Sequence, residues 1–325
     1  LWDLGYKPGE DIITMADRPY LECLMETAPR LAAWCRERAS GKVVLIPQDS
    51  SEFNYQSHAG RLSKDDPHLG PVGNGRDIGF FAHVALAVDA ATGFPLGIPA
   101  METWSREWEP DPARDYKNLT VEEKESYRWI ACALEAKACL AEAQHVVIIG
   151  DRESDIYEVF TRVPDARCDV LVRCAQDRRL AGREESLFAY LAALPVRGEM
   201  TATIRGNKQR ADREARLEIR FGTVRLARPA RRGAESGPPE VEIQVIEIRE
   251  KAASAPAGSA TNHAPNNATN TRTRRRARNV GLANLPNQAS ERDRVDPAQF
   301  LTAPRVTIVA GKGGVGKTTT TATLA

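Results

Sequence analysis

No run of about 18 consecutive apolar residues occurs in this chain, so no membrane-spanning helix is expected. No basic-then-apolar leader opens the sequence, which argues against a secretory route and for a cytoplasmic, nucleoid-associated protein. Cysteine is sparse: Cys23, Cys35, Cys132, Cys139, Cys168 and Cys174 include no C-x-x-C pair. That absence counts against a zinc or dithiol site and favours buried thiols in a reducing compartment. Cys132 and Cys139, seven apart in a helical pattern, fit one packed face. No internal repeat is present. Net charge is nearly absent as well, at +1, but it is unevenly spread. Residues 1–160 hold 16 Lys+Arg against 27 Asp+Glu, and the remainder 29 against 17, so the second half is the part suited to a polyanion such as DNA.

What is there reads as an α/β chain. Residues 1–40 form a helical, amphipathic N-terminal segment with apolar positions at Leu21, Leu24, Met25, Leu31 and Trp34. Lys42 to Ile46 (KVVLI) and His145 to Ile149 (HVVII) are short β-branched runs with the length of buried strands. Residues 53–77 read as loop. Phe80 to Val88, the turn Asp89 to Gly93, and Pro95 to Met101 form a hairpin signal. Thr120, with Glu122 and Glu123 behind it, predicts a helix start running on to Leu140. Ser154 is placed to cap a helix over Asp155 to Arg162; Cys168 to Cys174 is another strand, and Glu185 to Leu194 another helix. From Glu199 to Ile248 apolar and polar residues alternate, the pattern of antiparallel strands with one wetted face. Residues 252–297 are rich in Ala, Asn, Thr, Pro and Arg, too poor in large apolar side chains to offset the entropy of ordering. The boundaries that follow are a helical segment (1–40), an α/β core (41–198), a β insertion (199–251), a low-complexity linker (252–300) and a strand-loop-helix fragment (301–325).

Two aspartates stand out. Asp49 and Asp151 each come just after a short buried strand, and strand C-termini are where α/β sheets build ligand sites. If the strands are neighbours, the carboxylates converge on a position suited to Mg²⁺ or Mn²⁺, which prefer oxygen ligands. Two such ions about 3.5–4 Å apart can activate a water or 3′-hydroxyl and stabilise the departing oxygen of a phosphodiester. The same residues also suit plainer roles, Asp49 starting a turn and Asp151 capping a helix.

The segment Gly150-Asp-Arg-Glu-Ser-Asp-Ile-Tyr157 resembles the second-aspartate motif of bacterial DDE transposases of the insertion-sequence-four group, the group of transposon Tn-five. Ile46-Pro-Gln-Asp49-Ser-Ser-Glu-Phe53 resembles the first-aspartate segment of the group. Glu123-Lys-Glu-Ser-Tyr-Arg-Trp129 resembles its Lys-Glu-Ser-x-x-Trp block, and Val170-Leu-Val-Arg173 its following strand. The likeness covers roughly Gly41 to Glu250. It implies a ribonuclease-H-like mixed sheet with a late β insertion, and catalytic, metal-binding roles for Asp49 and Asp151. It also implies DNA contacts by Arg152 and Arg173, with Glu153 in support, and transposon-end DNA as partner, a homodimer being compatible with this. The implied activity is cut-and-paste DNA transposition.

The sequence departs from the group in two respects, one being that the group's N-terminal DNA-binding helices are not evident in residues 1–40. The third carboxylate belongs to a Tyr-x-x-Arg-x-x-x-Glu-x-x-x-x-x-x-Lys motif, and no tyrosine follows Tyr190 and no tryptophan follows Trp129. Glu247 and Glu250 are poor substitutes, so little or no strand cleavage is expected. Past the linker, Arg305 to Ala310 reads as a strand leading into Gly311-Lys312-Gly313-Gly314-Val-Gly316-Lys317-Thr318, which fits a phosphate-binding loop. Its extra Lys312 resembles the deviant Walker A of partition and arsenite-pump ATPases, implying ATP at these residues. With only a few residues after Thr318, the reading is a transposase frame joined to the start of an ATPase. ATP binding by this loop, and DNA binding without chemistry through Arg173, stand as alternatives.

Overall fold

In a computed structural model the chain is described over residues 20–109, 114–115, 118–204, 211–230, 237–251 and 306–312. The described residues hold four α-helices and ten strands. The helices are α1 (Tyr20–Ala39), α2 (Arg128–Cys139), α3 (Tyr157–Arg162) and α4 (Leu187–Ala193). The ten strands are β1 (Val43–Asn54), β2 (Gly70–Val72), β3 (Asp77–Asp89), β4 (Pro95–Trp104), β5 (His145–Gly150), β6 (Cys168–Arg173), β7 (Gly198–Ile204), β8 (Arg213–Ala227), β9 (Glu240–Glu250) and β10 (Val306–Lys312). They form one mixed sheet in the order β2-β3-β1-β5-β6-β10-β9-β8-β7, with β4 paired to β3. Five neighbours, β1, β5, β6, β10 and β9, run parallel; the strands outside them pair antiparallel. Among the described residues no helix is long and apolar enough to cross a membrane.

The β-branched runs explain the centre of the sheet. Val44 and Ile46 of β1, Val146 and Ile148 of β5, and Val170 and Val172 of β6 point alternately to one face, where they bury against residues of all four helices. Cys35 and Ala39 of α1, Trp129, Ile130 and Ala133 of α2, Phe160 of α3, and Leu187 and Leu191 of α4 make up that layer. Cys132 and Cys139 are both buried on α2, as a single packed face requires. Leu171, Ile246, Ile248 and Val309 face the other way and form a second cluster with Ala215, Leu217 and Ile219.

Several elements differ from the sequence reading. The first strand does not stop at Ile46; it continues to Asn54 because Gln48 to Asn54 find backbone partners on β3, and Phe53 stacks on Phe80 with ring centroids 4.8 Å apart. Asp49 is therefore inside β1, just past its last pair with β5. The segment read as loop contains a 3₁₀ turn (Gln56–Arg61) and β2. No helix starts at Thr120: the Thr120 hydroxyl and N–H both donate to the Glu123 carboxylate, at 2.9 and 2.8 Å. These bonds close a local turn, and the helix begins only at Arg128. Ser154 likewise donates to the Asp151 carbonyl (2.7 Å), and α3 begins at Tyr157 without a side-chain cap. The strands assigned to a separate insertion continue the same sheet, joined to β6 through β10. The linker lies outside the described residues.

Candidate functional site

The KVVLI and HVVII strands are parallel neighbours, their pairing ending at Pro47 opposite Ile149. Continued by two residues, that register sets Asp49 opposite Asp151. The β5–β6 register ends at Gly150 opposite Val172, and one step further sets Asp151 opposite Arg173. Both aspartates are exposed, and Arg173 is half-buried. Burial, then repulsion from Arg152, lowers the Arg173 pKa, while attraction from Asp151 raises it. Asp49, Asp151, Arg152 and Arg173 thus gather at one end of three parallel strands.

Each carboxylate also has a local role. Asp49 Oδ1 accepts the N–H of Ser50 at 2.8 Å. Asp151 Oδ1 accepts the N–H of Glu153 at 2.7 Å and caps the 3₁₀ turn Arg152–Ser154. These bonds engage one oxygen of each exposed carboxylate. Exposed carboxylate oxygens are the donor chemistry a hard divalent cation takes. Among the described residues no three His, Cys, Asp or Glu side chains gather to hold a metal. The pair stands as a pair. Gly150 has to be glycine here: a Cβ would lie 2.1 Å from Ser154 Oγ and 2.6 Å from Ser154 Cβ, displacing the turn that carries Asp151.

Neither Glu247 nor Glu250 is free to join. Glu247 is buried between Arg249 (2.6 Å) and Arg220 (3.2 Å), and Glu250 is held by Arg213 at 2.9 Å. Burial on a strand two removed from β6 explains the first, and a cross-strand ion pair the second. Gly311 and Lys312 end β10, in register with Ile248 and Arg249. Gly313, Gly314, Gly316, Lys317 and Thr318 lie outside the described residues.

The sequence reading missed what lies beneath Asp49. His83 of β3 is fully buried, its ring edge-on to Trp129 at 4.4 Å. Its Nδ1 lies 2.9 Å from Ser50 Oγ, and its Nε2 3.3 Å from the Gln48 side-chain amide. With that amide turned so that its nitrogen donates to Trp129 O and its oxygen accepts from Ala133 N, the nitrogen also donates to His83 Nε2. His83 then carries its proton on Nδ1 and donates it to Ser50 Oγ, which also accepts from Arg128 Nε at 2.9 Å. Burial, with Arg128 adding to it, holds the His83 pKa down at about 4, so the ring is neutral. One signal was available: His83 is the one polar residue within FFAHVALAV.

The buried thiols bear on reactivity. Burial pushes Cys35, Cys168 and Cys174 up to about 12, and Cys132 and Cys139 are raised for the same reason. Since the thiolate is the reactive form, these five should not react with Ellman's reagent at mildly alkaline pH until urea unfolds the chain. Rapid labelling of any of them in the folded protein would contradict this.

A scan of protein-family models and a search of curated proteins each return no match to this chain.

Proposed function

We propose that this chain is a ribonuclease-H-like core of the DDE transposase kind, acting on DNA with Mg²⁺ or Mn²⁺ through Asp49 and Asp151, and impaired in strand cleavage. The observation that supports the reading is that Asp49 and Asp151 each lie two residues beyond Pro47–Ile149, the last pair of the adjacent parallel strands β1 and β5. A mixed sheet with β1 central, the antiparallel β3–β4 hairpin on one side and parallel β5 and β6 on the other suits such a core. Asp49 and Asp151 would hold the ion. Such an ion, when bound, activates a water or 3′-hydroxyl and stabilises the leaving oxygen. Arg152 and Arg173 beside the acids supply the cationic border a phosphodiester needs, and a guanidinium suits phosphate by geometry as well as charge. The impairment is expected from the third position: the two late glutamates are held by arginines, and no third carboxylate joins the pair among the described residues.

Mn²⁺ titration followed by electron paramagnetic resonance tests the reading. Weak binding is expected, reduced about tenfold or more, or by roughly 1.4 kcal/mol, in Asp49→Asn and in Asp151→Asn. Nicking of supercoiled plasmid in Mn²⁺ should be slow and lost in the same variants. Equal metal binding by all three proteins overturns the reading. Metal-independent DNA retention, with a salt dependence that shrinks on Arg173→Ala, would transfer it to DNA binding without chemistry.

A further inference from the structure

Backbone pairing does not hold Asp49 and Asp151 at a fixed separation. The β1–β5 ladder ends at Pro47 and Ile149, after which β1 continues against β3 while β5 ends at Gly150 and the chain enters a 3₁₀ turn. A side chain from α2 spans the gap. Arg128 Nε donates to Ser50 Oγ at 2.9 Å, one guanidinium NH₂ donates to Glu153 Oε2 at 2.6 Å, and the other to the Glu125 carbonyl at 2.9 Å. Ser50 is the residue whose N–H binds Asp49, and Glu153 the one whose N–H binds Asp151. The guanidinium is oriented by the rings of Trp104 and Trp129, 5.0 and 6.0 Å away, and its side chain is only 12% exposed. His83 fixes the Ser50 hydroxyl from below.

We propose that Arg128 is a positioning residue that clamps the Asp49 and Asp151 turns together, so that the two carboxylates meet a divalent cation as a pair. The inference rests on the metal-site reading above. Three donors pointing in three directions from one planar group are what the task requires, and a lysine ammonium at the same position lacks that fork. Arg128 touches neither carboxylate itself, so its action is on geometry. A bystander cation has the opposite effect on metal binding: it repels a metal ion, and removing it tightens binding.

Two measurements test the clamp. The first needs no metal. In an Asp49→Cys/Asp151→Cys protein with Cys23→Ser, the remaining five thiols are buried, and diamide-driven disulfide formation reports how often positions 49 and 151 meet. Positions 49 and 151 lie two residues beyond the last β1–β5 pair, so bridging, which needs a Cα separation of roughly 4.4–6.8 Å, reports their approach. Bridging should slow about tenfold on Arg128→Gln, the size of effect seen when groups behind a metal ligand are removed, and stay slow in Arg128→Lys, all below the unfolding transition. Equal or faster bridging in Arg128→Gln overturns the clamp. The second measurement is Mn²⁺ affinity in the protein with both aspartates intact. Arg128→Gln should weaken binding about tenfold; tighter binding overturns the clamp as well. If the parent protein binds no Mn²⁺, the metal-site reading fails while the disulfide rate still judges the clamp.

Discussion

Replacing Arg178 with methionine should destabilise the folded chain by about 3–5 kcal/mol, the usual consequence of leaving one buried charge without its partner. The partner is Asp155, whose side chain has no solvent exposure. Asp155 Oδ2 accepts the N–H groups of Ala175 and Gln176 at 2.7 and 2.9 Å, and Oδ1 accepts Arg178 Nε and NH2 at 2.9 and 2.6 Å. The same guanidinium nitrogen also donates to the Asp155 carbonyl at 2.6 Å. Without Arg178, Oδ1 loses both donors, and a carboxylate that water cannot reach keeps only two neutral ones. The pair ties the segment after Asp151 to the segment after β6, so its loss loosens the wall of the candidate site together with the core. Urea unfolding should show a lower midpoint at an unchanged slope. Asp155→Leu/Arg178→Met together should recover part of the loss, since no unpaired charge stays buried. A loss below about 1 kcal/mol would mean that the pair behaves as an exposed surface bridge.

Stability should also fall by about 2–3 kcal/mol as the pH is lowered from about 7 to about 4.5, because of His83. Its pKa is about 4 in the fold, against 6.5 for an ordinary histidine. Between those values the unfolded chain binds a proton that the folded chain refuses. The contribution is therefore fully present above the unfolded pKa and is lost as the pH falls toward the folded one. Burial is the larger cause, and Arg128 adds to it. The carboxylates held low by partners, Asp89 by Lys42 and Glu125 by Arg106, lose their contributions at lower pH still. Urea unfolding across this range should show the slope in the parent protein and a much flatter profile in His83→Gln. A flat profile in the parent would place the His83 proton at ordinary affinity.

Local pattern made part of this architecture legible. The KVVLI and HVVII runs can hardly be anything but buried strands, and the Gly93 turn between two apolar runs is a hairpin in any context. The full length of β1 was hidden because Ser50, Ser51 and Glu52 carry no strand signal; their pairing with β3 supplies it. Thr120 and Glu123 have the spacing of a helix start and are hydrogen-bonded to each other, yet the helix begins only at Arg128. Asp151, Arg152 and Arg173 sit at a strand end or in the turn after it, as read from the sequence, whereas Asp49 lies inside the extended β1. The contacts of Arg128 were not legible, even within the Glu123–Trp129 block, because its partners lie 78 and 25 residues away. The place of β10 was likewise hidden: its sequence says strand, and nothing in it says between which neighbours.

That placement has a consequence for how the chain reaches its native state. β10 lies between β6 and β9, hydrogen-bonded to both, yet it is synthesised after each of them. A nascent chain can assemble the β1–β6 half and the β7–β9 half early, but each presents a bare parallel edge until β10 leaves the ribosome. Contacts this distant in sequence are slow to close, and unpaired edges are what aggregating chains find first. The strand that joins the two halves thus arrives after both, and the interval before it docks is when their facing edges are open to mispairing.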